Sequence, residues 1–199
     1  MSEERKIEII KPFGPAVAKV EIPENILKEL NKYTDNLIQN QEKSISQELV
    51  IDPDFSKKSG WLNFLTLALT KWIEVSTKNK VTEIKSINSC IVRRFANEYT
   101  PLHYNPGHIS GTGFLKLPKE FGKTYQEKQK NYNGKLTFVH GNRQFLSSSV
   151  FPITPKVGDF YFFPHYLMCI DYPFDGSIEE RRSISLNTEI DNRIFDVFS

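Results

Sequence analysis

From Ile84 onward the sequence breaks into short β-rich runs separated by Gly, Pro and Asn, and no other feature limits the fold so tightly. The runs are Ile87 to Phe95, Gly113 to Leu117, Lys135 to His140, Asp159 to Phe163, Met168 to Tyr172 and Arg182 to Ile190. Runs this short, with turn signals between them, predict an antiparallel sandwich or barrel and argue against parallel βαβ units. Upstream the pattern is helical. Ile22 to Ile38 has Pro-Glu near its start and apolar residues at Ile26, Leu27, Leu30 and Leu37, which predicts an amphipathic helix. Trp61 to about Ser76 predicts a second, with Leu62, Leu65, Leu69 and Ile73 on one face. Both stripes are read as covers for a sheet. The expected class is mainly β with flanking helices (α+β), a single domain over 1–199, in which 1–83 supplies N-terminal strands and helices and 84–199 the β core.

Charge and composition narrow the function classes. The chain has 26 Lys and Arg against 24 Asp and Glu, a formal charge of +2, and its lysines are scattered instead of clustered beside aromatic platforms. That distribution argues against nucleic acid as a partner. The first residues, Met1-Ser-Glu-Glu-Arg-Lys, form no signal peptide, and no later segment approaches a membrane span, so a soluble, cytoplasmic protein is expected. Cys90 and Cys169 are too few for a disulfide framework and are read as thiols. The lysine- and glutamine-rich stretch from Lys119 to Lys135 reads as a surface connection, with a lid over a site as the sharper alternative.

Three segments combine turn residues with side chains capable of chemistry. They are Tyr99 to Gly111, containing His103, Asn105 and His108; Gly158 to Phe174, containing His165, Cys169 and Asp171; and Arg181 to Asn187, containing Ser183 and Ser185. Alternate residues of a strand share a face, so His103 goes with Asn105, Cys169 with Asp171, and Arg181 with Ser183, Ser185 and Asn187.

The order of these pieces carries a resemblance. A His after Tyr-x-Pro is followed by Ile-Ser-Gly-x-Gly-Phe-Leu-Lys-Leu-Pro, Leu-Thr-Phe, Pro-Lys-Val-Gly-Asp-x-Tyr-x-Phe-Pro, Tyr-Pro-Phe and Arg-Arg-Ser-Ile-Ser-Leu-Asn. From roughly Trp61 to Asn187 this resembles the 2-oxoglutarate/Fe(II) oxygenase superfamily, in particular members from marine bacteria and their phages. The resemblance implies a double-stranded β-helix (jelly-roll, cupin-like) whose mouth holds Fe(II) through a facial triad, with 2-oxoglutarate chelating the metal. It implies His103 as first ligand, Arg181 as the grip on the far carboxylate of 2-oxoglutarate, and Ser183 as an added hydroxyl donor.

Two ligand positions depart from that pattern. Asn105 stands where a carboxylate, or in some relatives a second histidine, belongs, and Cys169 stands at the distal histidine. Asn is a neutral oxygen donor and Cys changes softness and redox behaviour. Asp171, on the face of Cys169, offers a rearranged set of His103, Cys169 and Asp171; otherwise Cys169 is a small core residue and Asp171 a turn-side acceptor. His108, His140 and His165 are not favoured as ligands. Two functions stay open: a dioxygenase hydroxylating a small-molecule or protein substrate with a degenerate iron site, and a non-catalytic jelly-roll binding or structural module, of viral origin or partnered by an active paralogue. A homo-oligomer or a protein partner is compatible with either.

Overall fold

The computed structural model describes residues 7–10, 14–40, 48–123, 130–145 and 148–195. Chain order is β1 (Glu8–Ile10), β2 (Val17–Glu21), α1 (Glu24–Asn40), β3 (Glu48–Val50), α2 (Pro53–Lys58), α3 (Trp61–Thr77), β4 (Ile84–Arg94), β5 (Thr100–His103), β6 (Ile109–Lys116), β7 (Leu136–Val139), β8 (Val150–Ile153), β9 (Asp159–Pro164), β10 (Met168–Asp171), β11 (Arg181–Ile190) and α4 (Asn192–Phe195). Every strand pairing is antiparallel. A seven-stranded sheet runs β1-β2-β9-β6-β11-β4-β3, and a four-stranded sheet runs β5-β10-β7-β8. From β4 onward, consecutive strands cross between the two sheets, except at β7–β8, which gives the double-stranded β-helix. Residues 124–129 of the lysine-rich stretch lie outside the described residues.

Strand alternation divides the apolar residues between two clusters. Phe160 and Phe162 of β9, with Ile184 and Leu186 of β11, face α1 and α3 and join Ile26, Leu30, Trp61, Phe64, Leu65 and Trp72 in the larger cluster. Tyr161 and Phe163 face the other way, into the space between the sheets, with Phe114, Leu136, Phe138, Leu167 and Cys169. The two helical stripes therefore cover the large sheet, as expected of them; Leu62 lies half-exposed at the margin of its stripe.

The Gly-x-Gly of β6 is explained by one aromatic ring. Gly113 pairs with Phe160 and Gly111 with Phe162 across the sheet. A Cβ at Gly113 would meet Phe160 Cδ2 at 2.5 Å, and one at Gly111 would meet Phe160 Cε1 and Cζ at 2.7 Å. The two missing side chains make the recess in which this ring meets Trp61 edge-on, with centroids 5.5 Å apart, and so they set how closely α3 approaches the sheet.

The start of β11 is anchored by charge. Arg182, on the helix-facing side, donates to Asp35 Oδ1 of α1 at 2.7 Å and to Glu180. It also donates to Asn31 Oδ1 at 2.9 Å. Glu180 in turn accepts from Arg93 Nε at 2.6 Å. Burial pushes the Glu180 carboxyl up, but Arg93, Arg182 and Lys116 outweigh it and hold the group below the usual carboxylate range.

Candidate active site

Two neighbouring strands of the small sheet carry the cluster. Cys169 of β10 lies directly across from His103 of β5, a position that brings side chains within contact. The His103 ring is oriented by its own strand: Nδ1 lies 2.8 Å from the carbonyl of Pro101. A carbonyl can only accept, so this contact puts the proton on Nδ1 and leaves the Nε2 lone pair free. Nε2 lies 3.6 Å from Cys169 Sγ. Asn105, just past the strand, completes the group, with Nδ2 3.9 Å from the same sulfur. Its backbone is fixed to the β9–β10 turn, where its N–H donates to the carbonyl of His165 at 3.1 Å.

Cys169 is only 5% exposed. Burial first, and the Asp171 carboxylate second, push its thiol up to about 12, so the sulfur is held as S–H and fits as a donor to His103 Nε2.

One step further along β10 the chemistry changes sign. Asp171 Oδ1 accepts from Arg181 Nη2 at 2.6 Å. Arg181 opens β11 on the face turned between the sheets, its guanidinium 5.3 Å from the centroid of the Phe114 ring. Ser183, two residues on and buried, lies opposite Phe114 and Val92. The structure thus gathers His103, Asn105 and Cys169 at one point and Asp171 with Arg181 at the next, all at the interior that Phe114 and Cys169 line.

The other histidines are placed elsewhere. His108 Nδ1 accepts from the backbone N–H of Ile190, and His165 Nδ1 contacts the carbonyl of Asn105. Among the described residues, no three His, Cys, Asp or Glu side chains form a ready metal group.

A residue that sequence reasoning passed over also belongs here. Arg94 of β4 is the cross-strand partner of Arg181 and donates to Thr100 Oγ1 at 2.9 Å, while Thr100 pairs with Asp171. The signal available was parity: Arg93-Arg94 ends a strand antiparallel to the Arg181-Arg182 strand. That parity becomes informative only once the register is known.

As a donor set, these residues suit a divalent metal unequally. His103 presents an unprotonated imidazole nitrogen, which among the described residues meets only the Cys169 thiol, with its other nitrogen tied to a carbonyl, the arrangement that metal-ligating histidines use. Asn105 and Cys169 bring a neutral amide and a protonated thiol, which would do little to balance Fe(II). The carboxylate that would supply charge, Asp171, is engaged by Arg181. For a dicarboxylate co-substrate the chemistry of Arg181 and Ser183 is right, and the obstacle is the same ion pair.

Comparisons with known proteins agree with this architecture. Residues 89–187 match the family described as "Putative 2OG-Fe(II) oxygenase". No curated protein sequence matches the chain. A Pseudomonas putida prolyl-4-hydroxylase superposes with a TM-score of 0.58 at 11% identity, over 86% of this chain and 91% of that one. A Trichoplax adhaerens prolyl hydroxylase, in complex with a hypoxia inducible factor peptide fragment, gives 0.57 at 14% identity, over 97% and 87%. HygX from Streptomyces hygroscopicus, with nickel and 2-oxoglutarate bound, gives 0.55 at 11% identity, over 85% and 81%. At such identities the structures establish the double-stranded β-helix; the family match adds the lineage, spanning the strands that hold His103, Cys169 and Arg181. The β-helix core of this chain, residues 89–187, belongs to the family of 2-oxoglutarate/Fe(II)-dependent oxygenases, whose cofactors are Fe(II) and 2-oxoglutarate.

Proposed function

We propose that this chain is a dioxygenase with a weakened iron site, anchored by His103, with Asn105 and Cys169 in the other two ligand positions and Asp171 beside them. Arg181 and Ser183 hold the far carboxylate of 2-oxoglutarate. The single observation that carries this reading is the direct pairing of Cys169 with His103, with Arg181 reached through Asp171 one step deeper. That is the order in which a metal and a chelating dicarboxylate would be laid out. When bound, iron and 2-oxoglutarate would put dioxygen to use, one oxygen atom entering succinate as 2-oxoglutarate loses CO2 and the other hydroxylating the substrate C–H bond. The chain's own part is to orient the imidazole through Pro101, to grip the carboxylate with a planar fork, and to exclude water behind Phe114, Phe138 and Phe163.

For the substrate, a protein or peptide side chain is the better supported class. Tyr99, Leu102, Tyr104 and Tyr166 are exposed around the residues that carry His103 and Asn105, a rim of the kind peptides use. The Trichoplax prolyl hydroxylase has a peptide bound on the same fold. A cytoplasmic location is part of this proposal. The test is anaerobic addition of Fe(II) and 2-oxoglutarate to purified protein, read as the metal-to-ligand charge-transfer absorption band. Its absence at saturating reagents overturns the reading. The second reading, a binding module without catalysis, is favoured by one observation, the Asp171–Arg181 pair that already fills the co-substrate anchor.

A further inference from the structure

Arg181 and Asp171 are unequally held. Arg181 is the first residue of β11, paired to β4 through Arg94, and its side chain is 2% exposed. Its fork is half used: Nη2 reaches Asp171, whereas Nε is buried and has no hydrogen-bond partner among the described residues. Asp171 is the last residue of β10, beyond a register slip against β5, and its side chain is 22% exposed. The arginine is therefore fixed and sealed, while the aspartate sits at a strand end with a path to solvent. Beside them Arg94 bonds a hydroxyl of Thr100 and makes no ion pair among the described residues.

We propose that Asp171 is a carboxylate built into the chain that fills the anion site of Arg181 and shuts free carboxylates out until it swings towards solvent. A tethered group meets its partner at a high effective concentration, so a free carboxylate competes at a disadvantage. The unused Nε shows that the site has capacity beyond what Asp171 takes, and a bidentate carboxylate would use it. The class of ligand displaced is a small dicarboxylate; its identity as 2-oxoglutarate rests on the function proposed above.

The experiment compares metal-free wild type, Asp171→Asn and Asp171→Ala by thermal shift with acetate, against chloride at equal ionic strength, and by calorimetric titration with glutarate and 2-oxoglutarate. Acetate is expected to raise the melting temperature of Asp171→Ala and leave wild type unmoved. Glutarate is expected to bind both variants on the order of tenfold tighter than wild type, and the double variant Asp171→Ala/Arg181→Met is expected to be silent. Variants that are folded by circular dichroism but answer acetate no better than chloride overturn the proposal, as does glutarate binding to wild type as tight as to the variants. Asp171→Asn keeps the shape and an acceptor oxygen for Arg181, so it carries the comparison if Asp171→Ala fails to fold. Acetate rescue with no 2-oxoglutarate or glutarate bound by any form supports the filled anion site while removing the co-substrate reading; equal 2-oxoglutarate binding by all forms does the reverse.

Discussion

Replacing Glu180 by Gln tests how the start of β11 is held in place. The Glu180 side chain is 7% exposed and lies between Arg93 Nε at 2.6 Å, Arg182, and Lys116 Nζ at 3.4 Å. Removing one member of a buried ion pair costs about 3–5 kcal/mol, because it leaves its partner uncompensated. The contact with the half-exposed Lys116 adds at most about 1 kcal/mol. Arg182 keeps Asp35 and Asn31, which places the net loss near the lower bound, about 3 kcal/mol. In a chain of this size each kcal/mol moves the melting temperature by about 2–4 °C, so a fall of about 6–12 °C is expected by calorimetry. The pH dependence supplies the independent check. The folded carboxyl lies below its ordinary value, so its contribution is complete above the unfolded pKa of about 4.3 and is lost as pH falls through the folded one. Glu180→Gln should flatten the stability slope in that acid window and leave neutral pH the region of greatest difference. A melting temperature within about 2 °C of wild type, or an unchanged acid slope, would refute the reasoning.

Three further outcomes are expected. Asn105→Asp combined with Cys169→His should bind Fe(II) more tightly in a titration with 2-oxoglutarate present, since it adds an anionic oxygen and an imidazole beside His103; tighter binding by wild type would mean that the native sulfur or Asp171 already serves. Cys169, with its thiol pushed up to about 12, should resist alkylation at pH 8 in the folded protein and react once the chain is unfolded in urea, followed by mass spectrometry. Gly113→Ala should destabilise the fold by about 1–3 kcal/mol in urea denaturation, because its methyl has to displace the Phe160 ring.

Most of the β core could be read from the sequence because the strands of the large sheet are long or aromatic enough to show their period. β9 shows why: Phe160 to Phe163 are apolar on both faces, since one side meets the helices and the other the interior. Upstream of Ile84, β1, β2 and β3 were not located at all; within the core two strands escaped notice, β5 and β8, and both contain a proline, Pro101 and Pro152. Proline argues against a strand only where its nitrogen must donate, and these two are the outer strands of the four-stranded sheet. α2 was also missed; at six residues, with Asp52 as its cap and Pro53 at its start, it reads locally as a turn. At the site, His103, Asn105 and Cys169 follow from strand parity and motif order. The Asp171–Arg181 pair does not, because its partners belong to strands in different sheets and a same-face argument works only within a strand.

The proline in β5 has a consequence for how the molecule meets its neighbours. An outer strand displays a row of amide and carbonyl groups that a second chain can extend, and this one carries His103 at its end. Pro101 removes one donor from that row, and its carbonyl is already turned to His103 Nδ1. Another chain cannot zip along β5 without losing a rung there, which discourages edge-to-edge aggregation. The same short segment that orients the imidazole therefore keeps the mouth of the barrel from being closed by strand addition.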